Sequence, residues 1–307
     1  MSRVVLLHPP WYRLMGWHFN EMPLSLCSLA GFLKRKGHEV FVLNADLNPT
    51  AGGTELDQRA MFRTYPKYLE LLENPEAPTW HRTLKAVETL RPDLVGMTVQ
   101  VGSFGSARMV ARLFKGRHPD VPVVVGGPMA SIEPVRTLAV DAFDYAVQGE
   151  GEEPLAELVE ALADGRNPDG IANLVFRTAE RVVVNPRRAP IEDLDALPFP
   201  DRDVLVERHR YPPDGLGAVF TARGCPFRCT YCAAGGVWGH RVRFRSPENV
   251  VEELRMLYHR YGVRRFSFKD DTFTLRRDRV EAICRGLIER KSGLIWEART
   301  RVDRVDG

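Results

Sequence analysis

Short β-branched runs recur along the first half of this chain, each followed by a longer stretch of helical periodicity, and that alternation restricts it to a parallel sheet faced by helices. The strand-length runs are Val4 to Leu7, Val40 to Asn44, Leu94 to Val99, Val121 to Val125 and Tyr145 to Gln148. The run VPVVVGG is apolar on both faces, as a strand covered from both sides must be. Between the strands, Leu24 to Lys36 stops at Gly37, a natural left-handed terminator. Ser103 to Lys115 opens on a residue able to cap free amides and ends near Gly116. The expectation for residues 1–165 is α/β: a Rossmann-like, doubly wound parallel sheet. An insertion from Leu47 to Trp80, with a helix expected near Leu56 to Glu73 and bounded by Pro49, Gly52-Gly53 and Pro75, has no assigned role.

Residues 166–216 break the pattern. Ile171 to Arg177 and Arg181 to Val184 read as a hairpin, and the proline-punctuated IEDLDALPFPDRD reads as a connector rather than a core. A second α/β series fills residues 217–307: strand Ala218 to Ala222, helix Pro247 to Tyr261, strand Arg265 to Lys269, helix Arg276 to Lys291 and strand Leu294 to Thr300. Composition adds exclusions. At 307 residues, with 44% hydrophobic and 27% charged side chains, the chain is an ordinary globular one of about two domains. No apolar run approaches the roughly 18 residues that span a bilayer, and MSRVVLLHPP is too short a hydrophobic start for a signal segment, so a cytoplasmic protein without a membrane partner is expected. A net charge of +3 is too slight to announce nucleic acid.

Ligands of open parallel sheets sit beyond the carboxyl ends of the strands. Those segments begin at His8, Asn44, Thr98 (through Ser103), Gly126-Gly127 and Gly149-Glu150-Gly151-Glu152. Paired glycines there let a bulky ligand approach the backbone, although a tight strand-to-helix turn needs the same residues. No G-x-G-x-x-G follows the first strand and no Walker-type loop occurs, so dinucleotide and triphosphate binding have no support.

Five cysteines with no export signal disfavour a disulfide framework, and three of them, Cys225, Cys229 and Cys232, crowd into TARGCPFRCTYCAAG. Thiolates so close together converge on one metal centre if the backbone wraps around it, which Gly224, Gly235 and Gly236 allow. Two centres fit. Zinc would take His240 as a fourth ligand in a closed, non-catalytic site. A four-iron cluster held by three cysteines would keep one iron open.

The C-x3-C-x2-C spacing after the first strand of a β/α series, with Tyr231 before the last cysteine, resembles the radical S-adenosylmethionine superfamily. The segments MPLSLCSLAGFLKRKGHEVFVLNAD, RPDLVGMTVQ, VPVVVGGPMAS, DYAVQGEGEEPL and DLDALPFPDRD resemble the members that carry an N-terminal cobalamin-binding domain. The resemblance runs from about residue 3 to the end. It implies a [4Fe-4S] cluster on Cys225, Cys229 and Cys232, with S-adenosylmethionine on the fourth iron giving a 5′-deoxyadenosyl radical. It implies cobalamin against Thr98, Ser103, Gly126, Gly127, Gly149 and Glu150, and C- or P-methyl transfer to a small molecule, with ring rearrangement or cyclisation as alternatives. Asp270 and Asp271 of KDDTF would face the amino group of S-adenosylmethionine, Arg299 and Arg301 its carboxylate or hydroxyls, and Tyr231 the cluster or adenine. An electron donor such as flavodoxin or ferredoxin is implied. Two departures stand out. The family's D-x-H-x-x-G cobalt-ligand motif is replaced by HPPWYRLMG, so His8 is expected to be a strand-end residue and the corrinoid to lack a histidine ligand. Only 82 residues follow Cys225, against about six β/α units in a partial barrel, so the second domain is expected to be an incomplete one, from a fragment or a split enzyme.

Overall fold

A computed structural model describes residues 1–17, 19–48, 58–288 and 293–305. The expected helix start at Leu56, its bounds at Pro49 and Gly52-Gly53, and the expected end of the later helix at Lys291 lie outside them. In chain order the elements are β1 (Arg3–His8), α1 (Leu24–Arg35), β2 (Glu39–Asn44), α2 (Gln58–Glu73), α3 (Pro78–Thr89), β3 (Leu94–Thr98), α4 (Phe104–Arg117), β4 (Val123–Gly126), α5 (Pro128–Ile132), α6 (Pro134–Leu138), β5 (Tyr145–Val147) and α7 (Glu152–Ala163). There follow β6 (Leu174–Arg177), β7 (Val182–Val184), β8 (Ala218–Val219), β9 (Ala222–Arg223), α8 (Ala234–Trp238), β10 (Arg243–Phe244), α9 (Pro247–Tyr261), β11 (Arg265–Phe268), α10 (Arg277–Ile288) and β12 (Ile295–Ala298). No described helix is long and apolar enough to cross a membrane.

The first seven strands form one sheet in the order β2-β1-β3-β4-β5-β6-β7. β1 to β5 run parallel, with Leu6 opposite Val42 and Gly96. The order reverses between β1 and β3, where such sheets open a crevice beyond their strand ends. Alternation of side chains sends Val5, Leu7, Val95 and Val125 to a layer with Trp80, Val110 and Phe114 of α3 and α4. Val4, Leu6 and Val124 face α1 and α7, and that core continues without a break to Val219, Leu254, Phe266 and Phe268 of the second α/β region.

The expected hairpin forms as β6-β7, and it also pairs antiparallel with β5 and extends the sheet, burying Leu174, Val175 and Phe176. One expectation changes: the proline-rich stretch is not a connector but part of the core. Leu194, Val204, Leu205 and Leu216 are buried, and Val204 and Val206 exchange backbone hydrogen bonds with Val42, covering the outer edge of β2. Isolated apolar residues between prolines carry no period, so their burial leaves no trace in the pattern.

In the second region β8, β11 and β12 form a parallel sheet in the order β12-β11-β8, while β9 pairs antiparallel with β10. The expected single strand Ala218 to Ala222 is broken after Val219, because the amides of Thr221 and Ala222 turn to the Asp270 carboxylate. α9 starts where Ser246 accepts the Asn249 amide at 3.2 Å with Pro247 behind it, and stops at Gly262, φ +71°. Its Glu253 is fully buried between Arg202 (2.8 Å) and Arg245 (2.5 Å). Arg202 also donates to the Pro200 and Ala218 carbonyls, so this site joins the linker, β8 and α9.

Removing Glu253 strands two guanidinium groups in the core. Glu253→Ala is expected to lower the unfolding free energy by about 3–5 kcal/mol in urea titrations, whereas Glu252→Ala on the exposed side of the same helix should change it by about 0.5 kcal/mol or less.

Candidate functional site

The cysteine loop leaves β9 through Gly224, whose φ of +98° and whose position 2.3 Å (as a Cβ) from the Arg241 carbonyl oxygen admit no side chain. The turn closes with the Cys232 amide on the Cys229 carbonyl at 3.0 Å, and α8 follows. His240 does not join the thiolates. Its Nδ1 lies 3.2 Å from the Cys225 carbonyl oxygen, and its ring fills the space a Cβ on Gly235 would need. Cys27 and Cys284 lie elsewhere, on α1 and α10, and burial pushes the Cys27 thiol up to about 12. Three thiolates on a glycine-rich loop without a fourth cysteine therefore fit a four-iron cluster with one open iron.

Facing this loop is a cleft of about 440 Å³. One wall consists of the strand ends Thr98, Gly126, Gly127 and Gly149, the other of Cys232, Val237 and Trp238, and Asp271 stands at its margin. The cleft continues past Gly96 between the sheet and α1. Gly127 has φ +96°, and a Cβ there would lie 2.9 Å from Thr98 Oγ1. At Gly126 a Cβ would approach nothing closer than the Val147 carbonyl oxygen at 3.7 Å. Bare backbone thus lines the wall beyond the sheet, the surface a large flat ligand such as a corrinoid requires, and the residues present fit that group.

The sequence-expected side chains divide. Thr98, Gly126, Gly127, Gly149 and Asp271 line the cleft; burial pushes the Asp271 carboxyl up, and Arg299 opposes it. Ser103 does not line it: its hydroxyl accepts the Gln100 amide at 3.1 Å and closes the loop after β3. Glu150 does not line the cleft: it is buried, accepting Arg223 at 2.9 Å, Arg243 at 2.8 Å and the Ile191 amide at 2.7 Å. Burial pushes its carboxyl up, but the Arg223 and Arg243 guanidinium groups outweigh that and hold it below the usual range. Asp270 is likewise committed, to the Thr221 hydroxyl and to the amides of Thr221 and Ala222. Tyr231 is 91% exposed and covers neither loop nor cleft. Arg301 places its Nη1 3.3 Å from Cys229 Sγ. His8 is a strand-end residue outside the cleft wall, its ring stacked on Phe19 at 5.0 Å, and burial lowers it to about 4.

Sequence reasoning missed the arginines. Arg223 bridges Glu150 and Glu152 and lies over the Trp238 ring at 5.2 Å. Arg187, from the linker, reaches the Gln148 side chain at 2.9 Å and the Gly236 carbonyl at 2.8 Å, and donates to the Ser131 carbonyl. The one signal was the position of Arg223 and Arg243 on the strands flanking the cysteines, which looks like any exposed strand charge.

Comparison with known proteins agrees with this geometry. The family model for the B12 binding domain matches residues 18–159, and that for the Radical SAM superfamily matches residues 219–303. An uncharacterized methyltransferase of Pyrococcus horikoshii is 36% identical over 228 residues, covering 73% of this chain and 50% of that protein. The anaerobic magnesium-protoporphyrin IX monomethyl ester cyclase of Rubrivivax gelatinosus is 28% identical over 313 residues, covering 98% and 50%. The solved structure of the radical S-adenosylmethionine methyltransferase TsrM from Kitasatospora setae, with tryptophan and a S-adenosylmethionine analogue bound, superposes with a TM-score of 0.68 at 25% identity, covering 95% of this chain and 52% of that one. The chain spans about half the length of the curated relatives it matches.

Because the folded protein holds Glu150 below the usual glutamate range, the stability this group contributes is present above that range and is lost as pH falls through its folded value. Urea unfolding across pH 6 to 3 should show a decline below about pH 4.5 that is shallower in Glu150→Gln; equal slopes would remove Glu150 from the account.

Proposed function

Because this chain belongs to the radical S-adenosylmethionine proteins that carry a cobalamin-binding domain, we propose that it serves a cobalamin-dependent methyltransferase acting on an unactivated carbon or a phosphinate-type phosphorus of a small molecule in the cytoplasm. The observation that carries this reading is the shared cleft: the glycine-edged strand ends and the last cysteine of the loop are opposite walls of one cavity. When bound, the reduced cluster and S-adenosylmethionine supply hydrogen abstraction, and the corrinoid supplies methyl transfer.

The chain's own residues hold and orient these groups. Cys225, Cys229 and Cys232 are the cluster ligands. Thr98, Gly126, Gly127 and Gly149 present backbone and a hydroxyl to the corrinoid. Asp271 suits an ammonium group and Arg299 a carboxylate, so this pair takes the amino-acid end of S-adenosylmethionine. Val237 and Trp238 exclude water from the shared cavity, where electrostatic interactions strengthen. A flavodoxin or ferredoxin supplies the electron. Oxidative cyclisation is the second reading, favoured by the likeness to the Rubrivivax cyclase over 98% of this chain.

Anaerobic reconstitution with iron, sulfide and cobalamin tests the proposal. Methyl-labelled S-adenosylmethionine should pass its label to the corrinoid and then to an acceptor; cleavage to 5′-deoxyadenosine without label transfer would favour cyclisation, and no iron or sulfide uptake would end both readings. Gly126→Ala should leave apoprotein unfolding unchanged or slightly raised, because the position is open. It should weaken corrinoid binding about tenfold, roughly 1.4 kcal/mol, in absorbance titrations.

A further inference from the structure

The loops after β11 and β12 are tied to each other. The Phe273 amide donates to the Arg299 carbonyl at 3.0 Å, and the Thr274 hydroxyl donates to the Arg304 carbonyl at 2.8 Å. Joined in this way, they bring two donors onto the cysteine loop. Thr272, buried beneath the loop, sets its hydroxyl 3.7 Å from Cys225 Sγ. Arg301 sets Nη1 3.3 Å from Cys229 Sγ. The guanidinium is not free to wander: it lies 3.9 Å from the centroid of the Phe227 ring, inside the loop itself, and Asp303 holds its Nε at 2.9 Å and its Nη2 at 3.0 Å. Phe227, which stands between Cys225 and Cys229 in the chain, thus holds Arg301 against the loop, and with Asp303 on Nε and Nη2 it is Nη1 that meets sulfur.

We infer that Thr272 and Arg301 are positioning residues for the cluster, hydrogen-bonding two of its three thiolate ligands and raising its reduction potential. The inference rests on the cluster reading of the cysteine loop. Its physical basis is that reduction adds negative charge which spreads onto the ligand sulfurs, and a donor or cation there stabilises the reduced state more than the oxidised one. Cys232 receives no side-chain donor among the described residues and stands exposed on the cleft wall. The two donors therefore act on the thiolates away from the corrinoid and leave the third open to it.

The test is potentiometry of the full 307-residue chain, reconstituted anaerobically and followed by electron paramagnetic resonance without S-adenosylmethionine, alongside iron and sulfide analysis. Thr272→Val keeps the branched shape and removes the hydroxyl; Arg301→Gln removes the charge; Arg301→Lys retains it without the planar fork. Thr272→Val and Arg301→Gln are each expected to hold wild-type iron and sulfide and to titrate at lower potential, the double variant lower than either, with Arg301→Lys between wild type and Arg301→Gln. Arg304→Gln, whose side chain lies over Phe227 at 5.2 Å, is the control for distant charge and should shift the potential less than Arg301→Gln. Full cluster content with unchanged potentials would overturn the inference, as would a potential equally sensitive to Arg304. If Arg301→Gln sheds its cluster, the isosteric Thr272→Val variant decides. Wild-type chain without iron and sulfide would overturn the parent reading and this inference together.

Discussion

The orientation of the two α/β regions depends on one buried carboxylate. Glu150 leaves the end of β5 and meets Arg223 and Arg243, which come from β9 and β10 on either side of the cysteine loop. Taking these charges out of water costs several kcal/mol each, and close pairing offsets that cost: Glu150 accepts both guanidinium groups and the Ile191 amide, and Arg243 also donates to the Ile191 carbonyl. Glu152 also accepts Arg223, at 2.5 Å, so two acids face two bases. Such an arrangement has little tolerance for sliding. A displacement of the second region along the sheet would leave buried charge unpaired, and this makes the lattice a determinant of register as much as of stability.

From that constraint follows the cleft. With β9 and β10 pinned to the end of β5, α8 falls across the strand ends and packs on α5, where Gly236 lies against Ile132. Arg187 completes the enclosure from the linker by holding the Ser131 carbonyl, the Gln148 side chain and the Gly236 carbonyl together. The cavity is therefore built between the two regions, and neither encloses it alone. A reaction that moves a group between two cofactors gains most from fixed proximity, and rigid charged contacts provide it at the cost of conformational freedom.

The neighbours Asp270 and Asp271 show how the same residue type divides its labour. Asp270 is turned inward, where its carboxylate ends β8 and begins β9 by accepting two amides and a hydroxyl. Asp271, one residue on, stands at the cleft margin. Arg279 reinforces the inward arrangement, donating to the carbonyls of Thr221 and Arg245. Of the two acids expected to face an ammonium group, Asp270 is thus the one that shapes the strand leading to the cysteines.

Strand and helix order, the parallel sheet and the metal loop were legible in the chain because each rests on local chemistry: β-branched runs, a left-handed glycine at Gly37 after the first helix, and cysteines separated by three and two residues. Strand-end glycines such as Gly126 and Gly127 were legible for the same reason, since the need for bare backbone is written in the residue itself. What the chain did not reveal was whether a polar side chain was still available. Glu150, Ser103, Asp270 and Arg301 all had suitable chemistry and position, yet their partners lie up to 93 residues away or on backbone amides that no pattern marks. The burial of the proline-rich linker was hidden in the same way, being decided by Val42 across the sheet. Local sequence determined the elements and the donor set, and tertiary structure decided which charges were spent on each other, because long-range pairing in a dry interior depends on where side chains meet rather than on what they are.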